Sequence, residues 1–356
     1  MQRVRFLFRP QVIPAWSAVL LALLLAIFPA ASLEASVRGL SIWWQVLFPA
    51  LFPFFVISEV LIGVGIVHFF GTLLDPLMRP LFRVPGSGAF VVTMGYASGY
   101  PVGARLTSQL WDQGLITRAE GERLVAITTT SDPIFLIGAV SVGFFHNPAL
   151  APVLAASHYG GALIIGLLLR FFHDRKDPGT PKPPASTSKS SRFKQAVDAM
   201  HRARLLDGRP LGGLLQDSVQ SGLKLMIVVG GLVVFFSVVM ELLTSVGVIN
   251  GLAALIQGMM HLVGMPTMLA EAVVNGLFEV TLGAKTAGAA AGGGLIHQVA
   301  IAAFILSWGG MSVHAQVVSL LSRTALRYRP FLLARLVHGV IAIILVYLLW
   351  GSLAPA

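Results

Sequence analysis

The sequence predicts an all-α polytopic membrane protein made of two inverted repeats, each with a re-entrant helical hairpin and a discontinuous helix. Three observations support this prediction: the composition, the length of the uncharged stretches and an internal repeat. Of the 356 residues, 56% are hydrophobic and 11% are charged, whereas soluble domains have about 45–50% apolar and about 25% charged residues. The uncharged stretch from Pro133 to Leu169 exceeds the roughly 20 residues that span a bilayer. These features exclude a water-soluble fold.

The net charge of +10 does not indicate nucleic-acid binding, because the basic residues cluster at the ends of apolar stretches, as membrane topology requires. The chain has no cysteine, which excludes disulfides, thiolate metal sites and thiol nucleophiles. The His-Glu-x-x-His and Gly-x-Ser-Gly patterns of intramembrane proteases are also missing from the sequence. We therefore expect no enzyme activity, no cofactor and no nucleic-acid partner.

The apolar stretches predict seven membrane crossings. They cover residues 10–33, 40–67, 125–145, 149–172, 213–246, 296–322 and 331–351. Arg3, Arg5 and Arg9 precede the first crossing, so the N-terminus is predicted to be cytoplasmic and the C-terminus to lie outside. Most basic residues then fall on the cytoplasmic side, among them Arg79, Arg83, Arg323, Arg327, Arg329 and Arg335.

The crossings divide the chain into five segments. These are an N-terminal spanning helix over 1–38, a first repeat over 39–172, a basic cytoplasmic linker over 173–212, a second, inverted repeat over 213–351 and a tail over 352–356. The linker places Phe193, Val197 and Met200 on one helical face beside basic residues. This pattern favours a segment that lies partly on anionic lipid, and a site for a protein partner is the alternative.

The repeat is visible as matching residues at a nearly constant offset of 180 to 182. The matches pair Glu59 with Glu241, Gly65 with Gly247, Arg105 with Lys285 and His158 with His338. The first repeat begins outside and the second begins inside, so the two are inverted. Inverted repeats are typical of secondary transporters, which bind substrate near the membrane midplane.

Each repeat contains an apolar segment that cannot be a complete crossing without reversing the orientation. Residues 89–124 and 268–294 are therefore predicted to be re-entrant hairpins. Further breaks are expected at 128–133 and 307–314, where hydroxyls, glycines and a proline interrupt apolar helices. Half-helix N-termini suit anionic substrate groups, while hydroxyls and carbonyls can hold a coupling cation.

Arg105 and Lys285 are the most specific candidates, because the repeat predicts one cation from each hairpin near a shared centre. Two intramembrane cations favour a dianionic ligand. In the alternative interpretation Arg105 reaches the cytoplasmic surface and Lys285 pairs with Glu279 or Glu271. The candidate substrate-binding residues are Ser98, Gly99, Tyr100, Arg105, Thr129, Thr130, Ser131, Thr281, Lys285, Ser312 and His314.

Asp132 and Glu279 are candidates for H⁺ or Na⁺ coupling, and a buried internal salt bridge is the alternative. His158 and His338 are predicted to be structural hydrogen-bonding groups. Glu59 and Glu241 are expected to pair with polar groups between helices.

Six strings identify a family resemblance that covers about residues 40–350. The chain resembles the sporulation integral membrane protein YlbJ family, also called SpoVV, which is similar to the gate, or nucleoside-recognition, domains of concentrative nucleoside transporters. The strings are FPFFVISE (52–59), SGYPVGAR (98–105), SDPIFLIG (131–138), SHYGGAL (157–163), EVTLGAK (279–285) and GGMSVHAQV (309–317).

The resemblance implies two gate-type repeats and a carrier of dipicolinic acid (pyridine-2,6-dicarboxylate) in the outer forespore membrane. This small aromatic dicarboxylate is a dianion, which suits two cations, and Tyr96, Tyr100 and Trp308 could stack on its ring. The bilayer and further copies of the chain are the other expected partners. The alternatives are a nucleoside or ion carrier of the gate type and a structural membrane protein of the spore envelope.

Overall fold

The computed structural model describes residues 12–171, 179–181 and 191–354, and every regular element in these ranges is helical. The first half contains α1 (Ile13–Ile27), α2 (Pro29–Ile42), a π-turn (Trp43–Leu47), α3 (Phe48–Gly63), α4 (Ile66–Phe82), α5 (Ser87–Ser98), α6 (Tyr100–Asp112), α7 (Arg118–Thr128), a π-helix (Ile134–Phe144), a 3₁₀ turn (Pro148–Leu150) and α8 (Ala151–Leu169).

The linker contributes α9 (Arg192–Asp207), and the second half follows the same order as the first. It contains α10 (Leu211–Ser245), α11 (Val248–Leu262), a 3₁₀ turn (Thr267–Leu269), α12 (Ala270–Phe278), α13 (Val280–Ala289), α14 (Leu295–Trp308), α15 (Gly310–Leu321) and α16 (Tyr328–Leu353). Gly65 and Gly247 occupy equivalent left-handed positions, with φ of 85° and 79°, before α4 and α11. The element order therefore agrees with the repeat that the sequence predicts.

Four helices in the described ranges are long and apolar enough to cross a membrane, or up to six if each bent helix pair is one span. The sequence predicts seven crossings, and the difference arises where helices bend or break. The segment predicted as one spanning helix over 1–38 consists, from residue 12 onward, of α1 and α2, which meet at 105°. Pro29 follows this bend, and its missing N–H cannot continue a helical ladder. Residues 1–11 lie outside the described ranges.

The long helix α10 packs antiparallel to α2 and α3. Gly39 of α2 lies against Ser237 near the C-terminal end of α10, while Gly63 at the end of α3 lies against Leu214 near its start. Since α3 and the second part of α10 occupy equivalent places in the two halves, equivalent helices run in opposite directions.

Basic residues from the predicted cytoplasmic loops meet at one end of the molecule. Arg327 donates to Glu122 at 2.8 Å, and Arg79 donates to the carbonyl of Thr180 at 2.8 Å. At the opposite end of α10, Arg38 bonds Glu241. The sidedness of those loops in a membrane stays a prediction.

Helix α9 packs on α4 and leaves part of its surface exposed. The Phe193 ring meets Phe69 edge-on at 5.7 Å, and the carbonyl of Met200 lies against Gly65. The predicted linker thus ends in a helix docked on the first half, while residues 172–178 and 182–190 lie outside the described ranges. Its placement on lipid stays a prediction.

Candidate functional site

Two helical pairs break at equivalent positions. Helices α5 and α6 join at Gly99, whose φ of 85° and ψ of −173° favour glycine. Helices α12 and α13 join at Glu279, which is extended, with φ of −142° and ψ of 124°. These joints, which we call the tips, lie within the segments 89–124 and 268–294 that the sequence predicts to be re-entrant hairpins.

Two further helices are discontinuous just beyond these pairs. Helix α7 ends at Thr128, and the π-helix starts at Ile134 after Pro133. Helix α14 ends at Trp308, where Gly309 and Gly310 both have positive φ, before α15. Both breaks lie where the sequence predicts them.

Each tip packs directly on the break of its own half. A Cβ at Gly99 would lie 3.0 Å from Asp132 Oδ2, and a Cβ at Gly103 would lie 2.3 Å from Thr128 Oγ1. In the second half, a Cβ at Gly310 would lie 2.9 Å from the carbonyl oxygen of Phe278. Small residues therefore allow the backbone of each tip to approach the break closely.

A cavity with an empty volume of about 500 Å³, which includes space open to solvent, lies where the tips and breaks of both halves meet. Half-helices α6, α13 and α15 and the π-helix all begin at this cavity, and α10 and the start of α3 supply an apolar wall. Its lining consists of Leu47, Leu51, Tyr100, Pro101, Asp132, Phe135, Val229, Val233, Glu279, Val280, Thr281, Ser312, Val313 and Gln316.

Two carboxylates of the cavity cap half-helices. Asp132 Oδ1 accepts from the Phe135 N–H at 2.8 Å, and Glu279 Oε2 accepts from the Leu282 N–H at 2.7 Å. The other two half-helices, α6 and α15, have no side-chain cap. Each half thus contributes one carboxylate-capped and one uncapped N-terminus.

The capped and uncapped positions are exchanged between the halves. At the offset of 180, Glu279 corresponds to Gly99 and Asp132 corresponds to Ser312. The first half therefore carries its carboxylate at the break, and the second half carries it at the hairpin tip.

Arg105 and Lys285 do not meet at a shared centre, which corrects the expectation from the repeat. Arg105 Nη2 lies 3.1 Å from Glu59 Oε1 and 2.7 Å from Ser221 Oγ. Lys285 is exposed and, within the described part of the chain, makes no ion pair with Glu279. Neither cation lines the cavity. The reason is axial distance, because Arg105 lies about 7.5 Å along its helix from the first residue, at a rise of about 1.5 Å per residue.

The hydroxyls of the first tip and break lie behind the cavity. Ser98, Thr129, Thr130 and Ser131 are completely buried, and none of them lines the cavity. Thr129 Oγ1 donates to the Val125 carbonyl at 2.6 Å. These residues shape the break rather than contact a ligand in this conformation.

His314 is also buried, and both of its ring nitrogens have hydrogen-bond partners within the protein. Its Nδ1 lies 2.7 Å from the Tyr328 hydroxyl, and its Nε2 lies 3.1 Å from the Trp308 carbonyl. Trp308 packs on the His314 ring at 4.1 Å. Of the three aromatic residues expected to stack on a ligand, Tyr100 is the one that lines the cavity.

The cavity residues that sequence reasoning identified are Tyr100, Asp132, Glu279, Thr281 and Ser312. Sequence reasoning missed Gln316, although its spacing from Ser312 along the helix could have identified it. Gln316 lies four residues after Ser312 in the same helix, and residues at this spacing share a face. The apolar wall from α10 has no such local signal, since it depends on how the long helix packs.

Arg335 is the clearest correction to the predicted topology, which places it among the basic residues on the cytoplasmic side. Its side chain is completely buried and donates to the carbonyls of Ala126, Thr129 and Ser307. These carbonyls lie at the C-terminal ends of α7 and α14, where the helix dipole is negative and stabilises a cation. Arg335 therefore ties the two breaks together behind the cavity.

His158 joins the same two breaks. It accepts at Nε2 from the Ser131 N–H at 2.9 Å, and its Nδ1 lies 3.1 Å from Ser307 Oγ. The described residues contain no group of three or more His, Asp or Glu residues that could hold a metal ion. The polar centre is thus organised by hydrogen bonds.

The chain is similar to known proteins over most of its length. Residues 44–155 match the Gate family model, described as nucleoside recognition. The chain is 45% identical to the sporulation integral membrane protein YlbJ of Bacillus subtilis over 92% of its own length and 80% of that protein. It is 23% identical to an uncharacterised protein of Alkalihalophilus pseudofirmus over 28% of its length and 22% of the relative.

Among solved structures, the chain is similar to CNTnw in an inward-facing substrate-bound state. The TM-score is 0.48 with 12% identity, and the alignment covers 98% of this chain and 89% of that chain.

Proposed function

The chain belongs to the YlbJ family of sporulation integral membrane proteins, and from this premise we propose that it is a secondary transporter of dipicolinic acid. It would carry this pyridine-2,6-dicarboxylate across the outer forespore membrane, with its N-terminus in the cytoplasm of the mother cell. The family membership is shown by the YlbJ relative, and the resemblance drawn from the sequence strings is thereby confirmed. The substrate is our proposal.

The observation that carries the proposal is the pair of uncapped half-helix N-termini at one cavity. Tyr100 and Pro101 line it from the first turn of α6, and Ser312 and Val313 line it from the first turn of α15. A helix N-terminus carries about half a positive charge, which attracts anions. At α6 this dipole is the main contribution, because Pro101 has no N–H and the Val102 N–H bonds the Gly99 carbonyl. Two such termini at one cavity suit the two carboxylates of one planar ligand, and they replace the cation pair expected from sequence.

Asp132 and Glu279 supply the coupling in this proposal. Both line the cavity, and as carboxylates they repel a dianion. A proton or Na⁺ bound at each of them removes this repulsion, so that cation binding and dicarboxylate binding favour each other. The proposed transporter is therefore driven by a cation gradient.

The opposite directions of equivalent helices support alternating access. Helices α3 and α10 run antiparallel, and the cavity lies between tips and breaks of both halves. In transporters of this design, one repeat moves against the other around a central site. We propose that the tips are the re-entrant hairpins and that the two halves are inverted repeats in the membrane.

A nucleoside carrier is the second candidate, and two observations favour it. Residues 44–155 match a nucleoside-recognition family. The charged or amide groups that line the cavity, Asp132, Glu279 and Gln316, are suited to the hydroxyls of a sugar, and no basic residue accompanies them.

Uptake into proteoliposomes tests these candidates directly. Labelled dipicolinate and labelled uridine are offered separately, with and without an inward pH or Na⁺ gradient. We expect gradient-dependent dipicolinate uptake and no uridine uptake. Uridine uptake alone would favour the second candidate, and uptake of neither compound under any gradient would favour a structural role.

A substitution at Ser312 tests whether a ligand carboxylate lies at the N-terminus of α15. Ser312→Asp places a carboxylate in the first turn of α15, where acidic residues stabilise helices. Because Ser312 is buried, the thermal unfolding midpoint of the variant is measured alongside binding to show that it is folded. The new charge should weaken dicarboxylate binding by about tenfold or more, since interactions with charged groups contribute about 1.5–3 kcal/mol. Ser312→Asn is the neutral control of similar shape and should bind nearly as well as the parent protein. Equal affinities for the two variants would contradict this placement of the ligand carboxylate.

A further inference from the structure

Two pairs of opposite charges occupy equivalent places in the two halves. In the described conformation one pair forms an ion pair, which we call closed, and the members of the other pair are apart, which we call open. Glu59 corresponds to Glu241, and Arg105 corresponds to Lys285. Arg105 contacts Glu59 at 3.1 Å. Lys285 is exposed, while Glu241 is bonded to Arg38 instead. The halves therefore differ at a point where their sequences match.

The closed pair connects the first hairpin to the antiparallel long helices. Arg105 belongs to α6, Glu59 to α3 and Ser221 to α10, and Ser221 Oγ also donates to Glu59 Oε1 at 2.9 Å. Gln109 of α6 adds a third donor to the same carboxylate at 2.7 Å. This network fixes α6 against α3 and α10 in the described conformation.

The open pair, Lys285 and Glu241, would connect the second hairpin to α10 near the C-terminal end of that helix. Lys285 lies on α13, the counterpart of α6, and Glu241 lies near the end of α10. Arg38 forms an ion pair with Glu241 in the described conformation. Its side chain is half exposed and also lies 3.9 Å from Glu34. Glu34 therefore offers Arg38 another partner when Glu241 is released.

Inverted repeats explain why one pair is closed and the other open. When two halves share a fold in opposite orientations, exchanging the conformations of the halves yields a state that faces the other side of the membrane. In that exchanged state, contacts present in the first half are lost and their counterparts in the second half form.

We infer that Arg105–Glu59 and Lys285–Glu241 are alternative ion pairs that close in opposite states of the transport cycle. The inference rests on the proposed alternating access and adds the contacts that stabilise each state. Because one pair forms as the other opens, each end state of the cycle is stabilised by one of the two ion pairs, so neither state is favoured by the loss of both.

The chain has no cysteine, so pairs of introduced cysteines report these states without background. The first test pair is Glu241→Cys with Lys285→Cys, treated in membranes with a short bis-maleimide crosslinker. The matched control is Glu241→Cys with Thr286→Cys, because Thr286 is the neighbour of Lys285 and points about 100° away around the helix. We expect the test pair to crosslink in a fraction of molecules and the control pair to crosslink much less.

The decisive step removes the closed pair. Glu59→Gln in the test background should raise the ratio of crosslinked to uncrosslinked protein by roughly tenfold, as expected when an interaction with a charged group is lost. Gln109→Leu, which removes a donor but leaves the ion pair, should raise it less. Equal crosslinking of test and control pairs, or no response to Glu59→Gln in protein that remains folded by gel filtration, would overturn the inference.

These outcomes are separate from the identity of the substrate. Crosslinking is measured without dipicolinate, so the exchange of ion pairs can be supported even if uptake of dipicolinate fails. Conversely, dipicolinate uptake without any change in crosslinking would retain the proposed function and overturn the exchange.

Discussion

The imidazole rings of His158 and His338 stack with their centroids 5.2 Å apart and their planes at 25°. The two residues correspond to each other at the offset of 180 and lie on the equivalent helices α8 and α16. In the proposed inverted repeat, equivalent residues that touch lie next to the axis that relates the two halves. The contact of His158 with His338 therefore marks the centre of the proposed internal symmetry.

Hydrogen bonds fix the neutral tautomer of His158 and place a proton on Nε2 of His338. His158 accepts at Nε2 from the Ser131 N–H, so its proton lies on Nδ1, facing Ser307 Oγ. His338 donates from Nε2 to the His158 carbonyl at 2.8 Å. Replacing His158 by Phe leaves the buried Ser131 N–H without a partner, which costs about 1–3 kcal/mol.

We therefore expect His158→Phe to lower the thermal unfolding midpoint in detergent more than His338→Phe does, because His158 bonds two groups through its ring and His338 bonds one. Thermal unfolding followed by circular dichroism measures both. A larger loss for His338→Phe would contradict this assignment of hydrogen bonds.

Arg335→Met should destabilise the protein although it removes a buried charge. The substitution leaves the carbonyls of Ala126, Thr129 and Ser307 without their donor, and each buried acceptor without a partner costs about 1–3 kcal/mol. Arg329→Met is the control, because Arg329 lies on the same helix and is exposed. We expect the control to change the unfolding free energy by about 0.5 kcal/mol or less. Equal midpoints for the two variants would show that Arg335 does not join the breaks.

Gly103→Ala should disrupt the contact between the first hairpin and its break. Its Cβ would lie 2.3 Å from Thr128 Oγ1, and overpacking of this kind costs about 1–3 kcal/mol. Gly251→Ala in α11 is the control, because no atom lies within 4 Å of the added methyl group. The control should be neutral or stabilising by about 0.4–1 kcal/mol. Thermal unfolding of both variants measures the difference, and an unaffected Gly103→Ala protein would contradict the close approach.

Asp132→Asn and Glu279→Gln should separate coupling from folding. Each amide oxygen can still accept the capping N–H, so the unfolding midpoint should change little, while the site that binds the coupling cation is lost. We expect dipicolinate uptake to lose its dependence on the cation gradient in both variants. Asp132→Ala removes the cap as well and should also lose about 0.5–2 kcal/mol of stability. Gradient-dependent uptake by the two amide variants would exclude these carboxylates as coupling groups.

The topology prediction is tested with reporters. A reporter that is active only in the cytoplasm should work when inserted near Ser188, which lies outside the described residues, and fail when fused after Ala356. This follows from the clustering of basic residues on one side. Activity at both places, or the reverse result, would remove the inverted relation between the halves.

The sequence was sufficient to predict the helical membrane class, the positions of both tips and breaks, and the correspondence between the halves. Composition and Pro or Gly at the breaks are local signals, and they led to Asp132 and Glu279 at the cavity. Arg105 shows the limit of such reasoning. Its position in the repeat is visible in the sequence, but its partner Glu59 depends on how α6 packs against α3.

Arg335 shows a second limit. A basic residue near the start of the last apolar stretch resembles the flanking charges of other crossings, and hydropathy assigns it to the membrane surface. Its actual partners are carbonyls at the ends of α7 and α14, which become available only because both helices break there. No local pattern reports such free carbonyls.

Helices of each half pack extensively against helices of the other half: α10 lies along α2 and α3, and α16 contacts α8 at the two histidines. Two fragments, divided between residues 181 and 191, would each contain a full set of the repeated elements. Such fragments, produced together in one cell, should associate as an antiparallel heterodimer without a covalent connection. The intact chain can thus be regarded as a fused dimer, in which the linker guarantees one-to-one assembly of the two antiparallel halves.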